Sequence, residues 1–178
     1  GNMIESKAKD IMTKARTRLV TGYPFFGNVA MRLKLIEDKT IETMATNGKV
    51  VKYNPSWVES LLLSEVVATL SHEILHVTNG HHLRMGARNH VLWNTSTDFS
   101  INAILDKEGF DLPEGALLDP VYGNKCAEDI YAILFEEYEE AKEEASNSES
   151  SNESEEGETS EGSGQSPSQD NSGEEEDG

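Results

Sequence analysis

Cysteine is nearly absent from this 178-residue chain. A single thiol, Cys126, cannot close an internal disulfide, and without a second one no thiolate zinc cluster can form. Nor does any apolar run reach the ~18 residues a membrane span requires, and the N-terminus carries no apolar signal-peptide core. A soluble protein of the cytoplasm is the expectation. Positive charge is scarce too: 15 Lys and Arg face 33 Asp and Glu, for a net charge of -18. The basic residues are scattered, so the electrostatic footprint of a nucleic-acid binder is missing.

What the chain does contain is unevenly spread. From Glu136 to Gly178 seventeen acids stand against one lysine, which leaves residues 1–135 with a charge of only -2. Beyond Ala145 nearly every residue is Ser, Glu, Asn, Gly, Asp, Gln or Pro, a composition that cannot bury enough apolar surface to offset the entropy of ordering. Residues 146–178 are therefore expected to form a disordered acidic linker, and residues 1–145 a single domain. A sequence that stops inside such a linker predicts a longer parent protein, and Gly1 reads as an addition ahead of the natural start.

Periodicity divides the domain into elements. Ile11, Met12, Ala15 and Leu19 line one side of residues 5–21, which predicts an amphipathic helix ended by Gly22. Residues 29–36 (VAMRLKLI) alternate apolar and basic side chains, the period of a half-buried strand. Asn47-Gly48 between the β-prone runs 40–46 and 49–53 signals a hairpin, so three antiparallel strands are expected. Asn54 and Pro55 suit the cap and first residue of a helix running to about Asn79, where Gly80 closes it. A further helix covers residues 91–107, residues 111–124 (DLPEGALLDPVYGN) read as loop, and a last helix starts near Ala127. One helix, three strands, then helices make an α+β arrangement.

Chemistry concentrates in SHEILHVTNGHH, residues 71–82, which holds four of the five histidines. His72 and His76 are one helical turn apart and project from the same face, able to grip one ion. Neutral imidazoles suit zinc, and a catalytic zinc site takes three protein ligands with a position left for water. Glu73 stands where a general base would receive that water's proton. The surrounding helix is apolar (Leu61, Leu62, Leu63, Val66, Val67, Leu70, Ile74, Leu75), so these polar groups are costly there unless paired or bound to metal. Two core histidines satisfied by ordinary hydrogen bonds are the plain alternative.

Three residues compete to be the third ligand. His82 has the spacing of the metzincin pattern, but that class needs a methionine turn below the metal, and the last methionine here is Met85. His81 falls on the far side of a continued helix, so only a sharp turn at Asn79-Gly80 could return it. Otherwise it is a helix-end histidine or one that orients a ligand. The third candidate lies in WNTSTDFSIN (93–102), where Asn94, Asp98 and Asn102 recur every fourth residue as a polar stripe on an otherwise apolar helix. The layout is similar to thermolysin-like gluzincins, whose third ligand comes from a second helix with an orienting polar residue one turn on. Asp98, twenty-two residues after His76, is assigned as ligand, with Asn102 or Asn94 orienting a ligand. A salt bridge from Asp98 to Arg84 or Arg88 is the competing role.

The chain resembles the zincin-like metallopeptidase domain found N-terminal to von Willebrand factor A-like domains in bacterial proteins. The resemblance runs through ARTRLVTGYPFFG (15–27), TMATNGKVVKYNPSWV (43–58), SHEILH (71–76), HHLRMGARNHVLWNTSTDFSIN (81–102), and LPEGALLDP to AEDIYAIL (112–134). It implies a minimal gluzincin-type, zincin-like fold, cytoplasmic residence, and an acidic linker leading to a C-terminal von Willebrand factor A-like domain. Carried over residue by residue, the motif marks His72, Glu73, His76 and Asp98, and also covers His81, Arg84, Arg88, Trp93 and Asn102. Alanine is common in the family where Thr97 stands, a departure that leaves the ligands untouched.

The expected activity is zinc-dependent hydrolysis of peptide bonds, with Zn2+ on His72, His76 and Asp98 and Glu73 as general base. Substrate is expected to lie extended against the strand edge of the 40–53 hairpin. Arg84, His81, Tyr122 and Tyr131 are candidates for stabilising the oxyanion. The alternative is a non-catalytic scaffold in which zinc staples two helices, working with the attached domain and a MoxR-type ATPase, as the resemblance implies.

Overall fold

The computed structural model describes residues 6–151. Helix α1 (Lys7–Gly22) buries Ala8, Met12, Ala15 and Leu19, a stripe of four-, three- and four-residue steps that presses one face into the core. Ser6 starts it by accepting the backbone N–H of Lys9 at 2.9 Å.

The next element departs from the sequence reading. Residues 29–36 do not form one strand: α2 (Pro24–Ala30) is a short helix, and strand β1 (Lys34–Glu37) starts only after it. Phe26, Gly27, Ala30 and Leu33 are the buried positions, a helical spacing that overlaps the alternating one, while Met31 is 64% exposed. Gly27 decides the outcome by letting α2 fold back onto α1. A Cβ there would sit 2.5 Å from Val20 Cα and 2.7 Å from the Leu19 carbonyl oxygen. Gly27→Ala is accordingly expected to destabilise the fold by about 1–3 kcal/mol, because backbone rather than a flexible side chain must yield. Denaturant unfolding checks this, and an unchanged midpoint would refute the close approach.

Strands β2 (Met44–Thr46) and β3 (Val50–Tyr53) form the expected antiparallel hairpin around Asn47-Gly48, with Ala45 opposite Lys52. The sheet is not wholly antiparallel, however. Its order is β1-β3-β2, and β1 runs parallel to β3, Leu35 beside Val51. β3 carries the most buried strand side chains, Val51 and Tyr53, and so takes the centre. The tight hairpin assigns one of its edges to β2, which leaves β1 the other edge and the parallel direction.

The long helix expected over 55–79 is two helices. Asn54 caps α3 (Pro55–Glu59), accepting the Trp57 N–H at 3.1 Å while its amide donates to the Ile41 carbonyl at 2.8 Å. A second start follows within the leucine run, where Glu65 accepts the Leu62 N–H at 2.9 Å and opens α4 (Leu63–Thr78). α4 is the central helix, packed by α1, α2, β2 and the later α6 and burying Val66, Val67, Ala68, Leu70, Ile74 and Leu75. A four-residue helix α5 (His81–Arg84), not foreseen, comes next, then α6 (His90–Lys107) and α7 (Ala127–Ser151). α7 runs into the acidic stretch, as its sequence suggests, covering six residues of the segment read as linker. The remainder of that linker, 152–178, lies outside the described residues. Among the described residues the fold is α+β, seven α-helices with a small mixed sheet.

Candidate metal centre

Two helices supply the site. On α4, His72 and His76 share the face turned toward α6, and on α6 Asp98 and Asn102 present theirs back. Asp98 Oδ1 stands 3.1 Å from His72 Nε2 and 3.0 Å from His76 Nε2, and the two nitrogens are 3.0 Å apart. Among the described residues these three side chains form the group whose donor atoms converge within 4.8 Å. A tetrahedral ion with bonds of about 2.0–2.1 Å holds its donors about 3.3–3.4 Å apart, so the triangle is one slightly contracted face of that tetrahedron. Two imidazole nitrogens and a carboxylate oxygen also match the donor preferences of a zinc-type ion. Side-chain exposures of 16%, 25% and 31% for His72, His76 and Asp98 leave the fourth direction open.

The outer contacts fix which nitrogen of His72 faces the cluster. Asn102 donates its amide N–H to the Leu117 carbonyl at 2.8 Å, which turns its oxygen toward His72 Nδ1, also at 2.8 Å. Nδ1 must then donate, and Nε2 is free to offer its lone pair. Asn102 thus takes the orienting role, whereas Asn94 pairs with His90 at 3.2 Å and orients neither histidine. Neither Arg84 nor Arg88 reaches Asp98. Arg84 makes a two-pronged pair with Glu128 and donates to the Asn79 carbonyl at 2.8 Å, and Arg88 lies over the rings of Trp93 and Tyr131.

The sharp turn at Asn79-Gly80 that alone could return His81 toward the site is present. Gly80 takes φ 62°, a left-handed conformation that breaks the helix and swings His81 back against the site, where it is 4% exposed. Its Nδ1 is 3.3 Å from His76 Nδ1. The signal was the Asn79-Gly80 pair itself. Leu117, whose carbonyl pins Asn102, had no sequence signal, since a backbone group has no letter. His82 is exposed and stands apart from the cluster.

Electrostatics follow from burial and proximity. Burial alone would lower the pKa of His72, but the hydrogen bond and charge of Asp98, helped by Glu73 and Asn102, lift it to about 9. Burial likewise favours protonated Asp98, yet its bonds to both histidines hold it well below the ordinary carboxylate range. Glu73 is pushed up by burial, with the neighbouring histidines opposing and Asp98 adding to the rise. His81 is pushed down to about 3 by burial, with His76 and Arg84 beside it, so its ring is neutral at physiological pH.

The Arg84–Glu128 pair ties the end of α5 to the start of α7 and makes its own prediction. Arg84 holds Glu128 down to about 2, with burial working the other way. A depressed carboxylate stabilises the fold above its ordinary pKa of about 4.3, and that contribution fades as pH falls through about 2. Both partners are partly exposed and screened, so Glu128→Gln should cost no more than about 1 kcal/mol near neutrality. The gap to wild type should close as pH drops from about 4 to about 2. Urea unfolding across that range checks it; a gap that persists at the acid end would assign the loss to packing instead.

No helix among the described residues is long and apolar enough to cross a membrane. No curated protein and no solved structure matches the chain. One protein family does, over residues 7–178, and its match takes in every element that builds the histidine–aspartate cluster. The chain therefore belongs to the family described as "Putative metallopeptidase domain".

Proposed function

We propose that this chain is a zinc-dependent metallopeptidase in which His72, His76 and Asp98 hold the metal and Glu73 is the general base. One observation carries the reading: two imidazole nitrogens and a carboxylate oxygen converge with edges of 3.0–3.1 Å beside the acid of the same helix. These three residues would hold the zinc, which would supply the Lewis acidity for polarising a peptide carbonyl and activating water near neutral pH. Glu73 receives a proton from that water on its carboxylate and passes it to the nitrogen of the departing amine. Asn102 keeps His72 Nε2 aimed at the ion, and Asp98 contributes the negative charge of the donor set.

The substrate is a peptide or protein segment held extended along β2. That strand ends the sheet beside α4, and its outer edge offers backbone hydrogen bonds before any side chain is read. Arg84 and His81 are engaged with Glu128 and His76, whereas Tyr131 only accepts the Asn89 N–H and keeps its own O–H to donate, so Tyr131 and Tyr122, buried against Phe99, are the candidates to stabilise the oxyanion. Residence in the cytoplasm fits an exposed, unpaired Cys126.

The test is cleavage of a random peptide library by chain of measured zinc content. Turnover should disappear with a chelator and return with zinc. A fully zinc-loaded chain that leaves the library intact would overturn the peptidase reading. The second reading, a zinc-stapled scaffold, is favoured by the donors' origin on two separate helices, α4 and α6. In that case the metal stiffens a platform for an attached von Willebrand factor A-like domain and a MoxR-type ATPase.

A further inference from the structure

We propose that His81 is a positioning residue for the metal centre: it accepts the Nδ1–H of His76 and thereby aims the Nε2 lone pair of His76 at the ion. The inference rests on the metal-site reading above. Its ground is a proton count between two nitrogens. His76 Nδ1 and His81 Nδ1 face one another at 3.3 Å, a distance that requires one proton between them rather than none or two. His76 turns its other nitrogen toward His72 and Asp98, at 3.0 Å from each. A metal-binding Nε2 carries no proton, so the proton of neutral His76 is on Nδ1, and His81 Nδ1 is the acceptor.

His81 is held for that task from three sides. Left-handed Gly80 reverses the chain just before it. Its backbone carbonyl accepts the indole N–H of buried Trp93 at 2.8 Å. Its ring stands edge-on between His76 and Trp93, with interplanar angles of 75° and 86°. The same ring is not among the three that converge on the ion position, so it acts through His76 rather than on the metal. The symmetry with Asn102 is chemical: each histidine ligand is oriented by a neutral acceptor, an amide oxygen for His72 and an imidazole nitrogen for His76. Asp98 is then the sole anion in the donor set and its immediate supports, which leaves the bound ion with more of its charge to act on substrate.

The experiment measures zinc affinity of the full chain by chelator competition for wild type, His81→Leu and His81→Asn, with thermal unfolding of the metal-free proteins as a folding control. Leucine fills the space without an acceptor, and asparagine places an amide oxygen near the Nδ1 position. His81→Leu should lose about 10–100-fold in zinc affinity, the range for removing a ligand's hydrogen-bond partner, and His81→Asn should recover most of it. Leucine and wild type binding alike would overturn the proposal, as would asparagine binding as weakly as leucine. Cobalt spectra separate a different error: loss of a coordinating nitrogen in His81→Asn would make His81 a ligand and end its role as a support. Wild type that takes up no zinc would instead overturn the metal-site reading itself, before any variant is compared.

Discussion

Glu73→Gln is expected to reduce peptide turnover by about 10²–10⁴-fold while the protein keeps its metal and its melting temperature. The amide matches the carboxylate in shape and cannot take a proton, so the substitution isolates acid–base chemistry from packing. Glu73 is suited to that chemistry because burial raises its pKa toward the working pH, and a base is most effective when its affinity for the proton is neither too weak nor too strong. The histidines on the same helix oppose that rise. A structural metal site has no need of such a group. Steady-state kinetics on any peptide found to be cleaved, beside elemental analysis of the same samples, gives the answer. Turnover equal to wild type would remove Glu73 from the mechanism; loss of turnover together with metal would make it a structural support of the ion.

How far the sequence reveals this site depends on whether each relationship is local. The helical step from His72 to His76 and the four-residue spacing of Asp98 and Asn102 are properties of single helices, and both survive unchanged in the fold. Capping is equally local: Asn54-Pro55 starts α3 and Asn47-Gly48 turns the hairpin, as their residue types indicate. The misreadings arise where a distant partner decides. VAMRLKLI fits both a strand and the end of a helix, and the packing of Gly27 on α1 selects the helix. Sheet order depends on which strand buries most, so the expected three antiparallel strands give way to a mixed sheet in which β3 lies between its neighbours and β1 runs parallel to it. His81 falls on the far side of a continued helix, and left-handed Gly80 supplies the turn at Asn79-Gly80 that returns it to the site.

Asp98→Ala should weaken zinc binding by more than about 100-fold, beyond the range for removing a supporting contact, while His82→Ala should leave it unchanged. Asp98 is the element of the site that comes from a different helix and the donor with a negative charge, and it lies at hydrogen-bond distance from both histidines. Alanine leaves two imidazoles on one helix with no third donor, and two ligands do not hold zinc against water. Melting temperature is a poor readout for this variant. In the metal-free protein Asp98 also sustains the protonated His72 ring, so its removal costs folding stability whether or not a metal ever binds. That contribution belongs to a raised histidine pKa: it is fully present below the unfolded value of about 6.5 and is lost as pH climbs through about 9. Dissociation constants measured on folded protein avoid the confusion, because they compare the ion's hold on a site already formed. If Asp98→Ala retained the ion while His82→Ala released it, the third donor would have to come from α5, and the triangle between α4 and α6 would be only a hydrogen-bond network.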